Sequence, residues 1–310
     1  MNSFETRQLS VAAVSAAVEN DPAACVSAEE ARYRAAVEAV AAAIHDEKDG
    51  RRFVLLSGPS SSGKTTTAGM LKAALAAKGT VTHVISLDDF YLGEGKAPLL
   101  PDGRPDYESI DALNLPLLQT CLTELVQKGK TALPQFDFST RRPKAERVPL
   151  CLEPDAAVIL EGIHAFNPCL GAYLPPAMTT RLFINTLSRF SDANGVWLSR
   201  RDLRLVRRIL RDDRFRASPF SHTMGMWPQV TRGETLYLFP YADTADLVID
   251  TTFAFEPCLF RGFLLPLLAA VPSIDPHADT ARRLSALLDV FPPLDAALLP
   301  QESMLREFIG

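Results

Sequence analysis

The stretch that most restricts how this chain can fold is Gly58-Pro59-Ser60-Ser61-Ser62-Gly63-Lys64-Thr65-Thr66. It reads G-x-x-x-x-G-K-[ST], and its flanks agree with it. The preceding Phe53-Val54-Leu55-Leu56-Ser57 is a short apolar run that predicts a buried strand, and Met70, Leu71, Ala74 and Leu75 recur at helical spacing after it. A strand that turns through a glycine loop into a helix leaves backbone N–H groups and the positive end of the helix facing outward, which is a cradle for anions. In such a loop the lysine reaches the β- and γ-phosphates and the following hydroxyl ligates Mg²⁺. The expected nucleotide-binding residues are therefore Gly58, Ser60, Ser61, Ser62, Gly63, Lys64, Thr65 and Thr66, and the ligand is a nucleoside triphosphate.

The rest of the chain supplies the sheet such a loop needs. Val81–Ser86, Ala156–Leu160, Arg181–Asn185 and Leu247–Asp250 are further apolar runs, and Leu113–Val126 carries a helical apolar face. Near-continuous Val/Ile/Leu strands alternating with helices predict an α/β fold, a parallel sheet covered on both faces. Residues 1–50 are Ala-rich and read as a helical N-terminal extension, with a helix start expected at Ser27-Ala28-Glu29-Glu30. Residues 51–254 form the expected core, with an arginine-rich segment near 198–218. Residues 255–310 turn mainly helical, with helices expected over Leu259–Leu268, Thr280–Val290 and Ser303–Ile309.

Composition narrows the partners. A net charge of −5 makes no electrostatic case for nucleic acid or for an anionic membrane, and no apolar run is long enough to span a bilayer. The five cysteines are scattered without a C-x-x-C pair, which predicts free thiols rather than a disulfide framework or a zinc site. Met1-Asn2-Ser3-Phe4-Glu5 lacks a basic segment leading into an apolar one, so no signal peptide is read there and a cytoplasmic setting is expected.

Three further features carry chemistry. The second strand runs into Leu87-Asp88-Asp89-Phe90-Tyr91, and the third into Leu160-Glu161-Gly162. Carboxylates at the C-terminal ends of parallel strands face the crevice where ligands bind. Phosphoryl transfer needs one to take the proton of the attacking hydroxyl, for which Asp88 is the candidate, and another to help hold Mg²⁺, for which Glu161 is. The third feature is the run Arg200–Arg216, with Arg200, Arg204, Arg207, Arg211 and Arg214 on one helical face and Leu203, Val206 and Leu210 on another. It reads either as a solvated face laced with ion pairs or, preferred beside such a loop, as a lid that brings guanidinium groups onto a triphosphate.

Taken together, these residues resemble the uridine kinase/phosphoribulokinase family over roughly residues 52 to 252. The loop is similar to that family's phosphate loop, and Ser86-Leu87-Asp88-Asp89-Phe90-Tyr91 is similar to its S-x-D-x-F-Y segment. Pro105-Asp106-Tyr107, Leu133-Pro134-Gln135-Phe136-Asp137-Phe138, Ile159-Leu160-Glu161-Gly162-Ile163 and Arg204–Arg216 follow in the family's order. Smaller pieces, Trp227-Pro228, Arg232-Gly233-Glu234, Phe239-Pro240-Tyr241 and the end Leu305–Gly310, look like a bacterial subgroup of uridine kinase-like nucleoside kinases in which a helical C-terminal part is usual. Many of that subgroup carry an N-terminal TGS-type domain, where this sequence has only a short helical stretch.

The resemblance implies a P-loop kinase using ATP and Mg²⁺. Lys64, Asp88, Arg208 and Arg211 would be catalytic, with Asp88 the general base. Thr65, Glu161 and Asp88 would lie at the metal, and Asp106, Phe136 and Arg204 at the acceptor, Asp106 on its ribose hydroxyls. Two departures bear on the acceptor: Phe136 stands where the family has Tyr, and Ser139-Thr140-Arg141-Arg142 lacks the base-reading His. The expected partner is a small molecule, first a nucleoside and then another sugar or polyol, with self-association left open. The rival reading is a non-catalytic ATP-binding sensor, against which the retained Asp88 speaks.

Overall fold

The computed structural model describes residues 6–46 and 50–310; the expectation that rested on residues 1–5 lies outside them. Its centre is a five-stranded sheet in the order Leu247–Asp250, Thr179–Asn185, Phe53–Ser57, Ala157–Glu161, Thr82–Ser86. Every neighbouring pair runs parallel. The strand feeding the glycine loop is therefore central, and both of its neighbours end beside the loop.

The period of two along that strand divides the interior. Phe53 and Leu55 join one apolar cluster with Ile85, Val158, Leu160 and the Leu115–Lys128 helix. Val54 and Leu56 join the other, with Ile159, Leu182, Ile184 and Ile249. Since successive strand side chains point to opposite faces, a strand apolar at every position must be covered on both. Onto the second face pack Lys64–Ala77, Pro22–Asp46, Arg200–Arg216, Glu256–Ala269 and the last short helix, Arg306–Ile309. Both ends of the described chain thus share one core with the central strand. No described helix is long and apolar enough to cross a membrane.

Several boundaries differ from the sequence expectation, each for a local reason. The first long helix starts not at Ser27 but at Pro22, with Ala24 N–H donating to Asp21 Oδ1 at 2.9 Å; proline in the first turn loses no intrahelical bond. Glu29 and Glu30 serve tertiary pairs instead, Glu29 with Arg7 at 2.7 Å and Glu30 with the Ser303 hydroxyl. Leu115–Lys128 starts two residues later than expected because Asn114 caps it, accepting from Leu117 N–H at 3.2 Å. Near the end, only Arg306–Ile309 is helical, because Ser303 is tied to Glu30 and Met304 is turned down onto Gly63. A small sheet in which Gln8–Ser10 pairs with Arg189–Asp192 had no counterpart in the expectation.

The Arg200–Arg216 helix is not a solvated face. Arg207 is fully buried and Arg204 is 4% exposed. The Arg207 guanidinium donates to both Glu256 oxygens at 2.8 and 3.0 Å, and to the Thr251 carbonyl at 2.6 Å. Removing one partner of such a pair leaves an uncompensated charge in the interior. Arg207→Ala is accordingly expected to cost about 3–5 kcal/mol in chemical denaturation, while Arg207→Met combined with Glu256→Leu recovers most of it.

Candidate active site

The loop is shaped by two close approaches. A Cβ on Gly58 would sit 2.3 Å from the Ile184 carbonyl oxygen, so only glycine lets the chain leave the central strand this close to its neighbour. Gly63 has φ +86°, and a Cβ there would also meet the Met304 sulfur at 2.6 Å. Lys64 then opens the helix, whose first N–H groups have no intrahelical acceptor. Behind the loop, the buried Tyr33 hydroxyl meets Thr67 Oγ1 at 2.6 Å, and Thr67 Oγ1 donates to the Gly63 carbonyl at 2.6 Å. The hydroxyls of Ser61 and Ser62 are buried with no hydrogen-bond partner among the described residues. Outward N–H groups and two unpaired hydroxyls are donors suited to phosphate oxygens.

Facing the loop is a tight charge constellation. The Lys64 ammonium donates to the Pro59 carbonyl at 3.0 Å, and Ser86 Oγ donates to Glu161 Oε1 at 2.7 Å. Burial raises the carboxyls of Asp88 and Glu161 above the ordinary range, while the Lys64 charge pulls both back down. Burial lowers Lys64 in turn, against the attraction of Glu161 and Asp88. The three groups predicted from separate sequence stretches are thus within electrostatic reach of one another. Thr65, in the first turn of the Lys64–Ala77 helix, is exposed.

The predicted arginines reach the same place by different routes. Arg208 Nη1 donates to the Ser60 hydroxyl at 2.8 Å and its Nε pairs with Asp212 at 3.3 Å. Arg211 pairs with Glu307 at 3.3 Å, and Glu307 also accepts from the Thr66 hydroxyl at 2.7 Å. Arg204 holds the loop from outside, donating to the Ser60 carbonyl at 3.1 Å and to both Glu234 oxygens at 2.6 and 2.9 Å. Glu234 in turn accepts from Ser60 N–H at 2.8 Å. The sequence reading missed Glu234 and Glu307 as loop partners. Both lie far along the chain, and nothing local marks an acid that will meet a loop 174 or 241 residues away.

On the other side of Asp88 lies a half-polar, half-aromatic surface. Asp106, 4% exposed, accepts from Arg232 Nη1 and the Tyr237 hydroxyl at 3.2 Å each, and from Glu108 N–H at 3.2 Å. Phe136 packs against Tyr91 and Phe138 with ring centroids 5.7 and 5.1 Å away, and its N–H donates to Asp89 Oδ1 at 3.0 Å. Arg204, predicted at the acceptor, instead sits beneath the loop with Glu234. Glu108, Arg232, Tyr237 and His164 were not singled out as functional. Their one sequence signal is adjacency to motifs, Glu108 two residues after Asp106 and His164 three after Glu161. Two cavities of about 220 and 420 Å³ flank the Arg200–Arg216 helix elsewhere and contain none of these groups.

A parallel α/β sheet whose central strand feeds this loop, with acids from the two strands beyond it, defines a P-loop kinase fold. The sequence profile of the phosphoribulokinase/uridine kinase family matches residues 53–254, and the chain belongs to that family. A uridine kinase from Deinococcus deserti is 27% identical over 213 residues, covering 67% of this chain and 92% of that protein. One from Mycoplasma genitalium is 31% identical over 162 residues, or 52% of this chain and 66% of that one. Among solved structures, a candidate fructose transport system kinase from Silicibacter sp. TM1040 superposes with a TM-score of 0.50 at 19% identity, over 69% of this chain and 98% of that one. That likeness speaks to the fold alone.

Glu108 offers a test of the site's electrostatics. Burial pushes its carboxyl up to about 7, assisted by Glu234 and Asp88 and opposed by Arg208 and Lys64. The folded protein therefore keeps a proton there that the unfolded chain releases near pH 4.5. A raised carboxyl stabilises the fold at low pH, and that contribution drains away as pH climbs from 4.5 to about 7. Glu108→Gln lacks this titration. The denaturation midpoint of the variant relative to the unmodified protein is expected to rise between pH 5 and pH 7.5, and a constant difference would count against the assignment.

Proposed function

We propose that this chain is an ATP- and Mg²⁺-dependent kinase that moves the γ-phosphoryl group to a hydroxyl of a small molecule, with the 5′-hydroxyl of a uridine- or cytidine-like nucleoside as acceptor. The observation that carries the reading is the meeting of Lys64, Asp88 and Glu161 in front of a loop with unpaired buried hydroxyls on Ser61 and Ser62. A protein that only bound nucleotide has no use for a carboxylate held beside the lysine.

In this reading Gly58, Ser60, Ser61, Ser62, Gly63 and Thr66 cradle the phosphates, and Lys64 balances charge on the β- and γ-groups. Asp88 takes the proton as the acceptor oxygen bonds to γ-phosphorus and the bond from γ-phosphorus to the bridging oxygen breaks. Burial raises its proton affinity, which favours taking the proton, and the Lys64 charge opposes that rise. Arg208 and Arg211 stabilise charge on the transferring group, Asp106 orients the acceptor's sugar hydroxyls, and Phe136 packs against the remainder.

The described residues form no group of three or more His, Cys, Asp or Glu able to hold a metal by themselves. That fits Mg²⁺, which takes one or two protein oxygens and completes its shell with phosphates and water. Thr65, Glu161 and Asp88 would hold it. When bound, the ion neutralises phosphate charge and fixes the reacting geometry.

One observation favours a second acceptor class. Phe136 packs against Tyr91 and Phe138 and offers no polar side-chain atom, whereas Asp106, Arg232 and Tyr237 form a polar group suited to hydroxyls. A sugar or polyol would use these and make no demand on a base pocket.

Both classes are separable by measuring ATP consumption with nucleosides, sugars, phosphosugars and polyols; phosphorylation of uridine or cytidine alone supports the first. Lys64→Ala is expected to abolish turnover, and wild-type turnover would remove the loop assignment. Asp88→Asn is expected to retain ATP binding and lose about 10² or more in turnover. An unchanged rate would move the base elsewhere.

A further inference from the structure

His164 follows the acid-bearing end of the Ala157–Glu161 strand and is 3% exposed. Neither ring nitrogen makes a hydrogen bond of good geometry to any described residue. Its ring lies 5.9 Å from that of Tyr237, whose hydroxyl donates to Asp106. The Glu108 main chain and the Asp106 carboxylate are close enough to favour its protonated form, yet burial prevails and holds it down at about 4. The imidazole is therefore neutral near pH 7, with one N–H and one bare nitrogen to offer.

A buried ring nitrogen without a partner is uncommon, because it has given up its hydrogen bonds to water and received none in return, and the Glu108 main chain can serve only one of the two. Packing gives no reason for one here. The following residues, Ala165 and Phe166, belong to the apolar cluster on that side of the sheet, and leucine would fill a comparable volume without the desolvation cost. Asp106 accepts from three donors but donates to none when ionised. A hydroxyl, which both donates and accepts, complements an acid and a neutral imidazole together.

We infer that His164 binds the phosphate acceptor: its buried imidazole beside Tyr237 and Asp106, with a ring nitrogen left unpaired, receives a hydroxyl of a polyhydroxylated acceptor, the pentose of a nucleoside or a free sugar or polyol. This rests on the kinase reading only in naming the bound molecule as the one phosphorylated. It separates recognition of the hydroxylated part from recognition of a base, and assigns the first to His164, Tyr237 and Asp106.

The test compares unmodified protein with His164→Leu and His164→Asn, titrating uridine, ribose and glycerol calorimetrically in the presence of a non-hydrolysable ATP analogue. His164→Leu is expected to weaken the best-bound of the three by about tenfold or more, since a site built around a hydroxyl discriminates by its polar groups. Analogue affinity should stay within about twofold and melting temperature should not fall by more than about 2 °C. His164→Asn should recover part of the lost affinity. Unchanged acceptor affinity in the leucine variant overturns the inference. So does a larger fall in melting temperature without an acceptor-specific loss, which would mark a structural histidine satisfied by water. Binding of none of the three probes by the unmodified protein overturns it too. A probe that binds but is never phosphorylated sinks the kinase reading, while the His164 comparison still stands on binding.

Discussion

The conformation of the Gly58–Thr66 loop depends on buried acids that bind its backbone and its supporting arginines together. Glu234 takes the Ser60 N–H and both arms of the Arg204 guanidinium, and Arg204 returns a bond to the Ser60 carbonyl. Glu256 holds the Arg207 guanidinium through both of its oxygens, and Arg207 in turn reaches the Ser61 carbonyl at 3.3 Å. These pairs are too deeply desolvated to be valued as net stability, because moving two charges out of water offsets most of their attraction. Their effect is on geometry. A bidentate guanidinium–carboxylate pair has a fixed plane and spacing, and transmits that rigidity to whatever backbone it touches.

The same accounting explains why the arginine-rich helix divides its labour. Arg204 and Arg207 face inward and hold the loop, while Arg208 and Arg211 lie nearer its open side, on Ser60 Oγ and Glu307. The last described residues complete the enclosure: Met304 lies on Gly63, Glu307 bridges Thr66 and Arg211, and Phe308 lies under Arg207 with the guanidinium 5.1 Å from its ring. A C-terminal segment with no chemistry legible in its own sequence thus forms part of the wall behind the loop. On the far side, Asp88, Glu108 and Glu161 crowd around one lysine, and burial raises all three. Local repulsion of this kind is tolerated where a site needs groups that exchange protons near neutrality.

Much of this was legible beforehand. The strand ending at Ser57, the glycine loop and the helix from Lys64 agree at every level, since the strand's continuous apolar run requires a covered parallel sheet and the loop requires a strand before it and a helix after. The places of Asp88 and Glu161 were readable because one lies in the turn just after a strand and the other ends one, where an α/β sheet opens its crevice. The arginine helix was legible as a helix, but its environment was not. Arginine at helical spacing looks identical whether it meets water, a phosphate or a glutamate from another element, and Arg207 proves to be among the largest fully buried side chains in the fold. His164 was hidden for a related reason: a single polar residue next to an apolar run carries no mark of its burial.

What the sequence by itself determined is the apolar periodicity and the backbone chemistry of the loop. Both are local: which strand residues point to which face, and where only glycine can turn, follow from dihedral and steric rules over a few residues. What only the tertiary structure decided is which buried charges meet. Arg204 with Glu234, Arg207 with Glu256 and Arg211 with Glu307 are 30, 49 and 96 residues apart. Hydrophobic burial is non-directional and is specified by pattern, whereas a buried ion pair is directional and exists only once the elements that carry its halves have already packed.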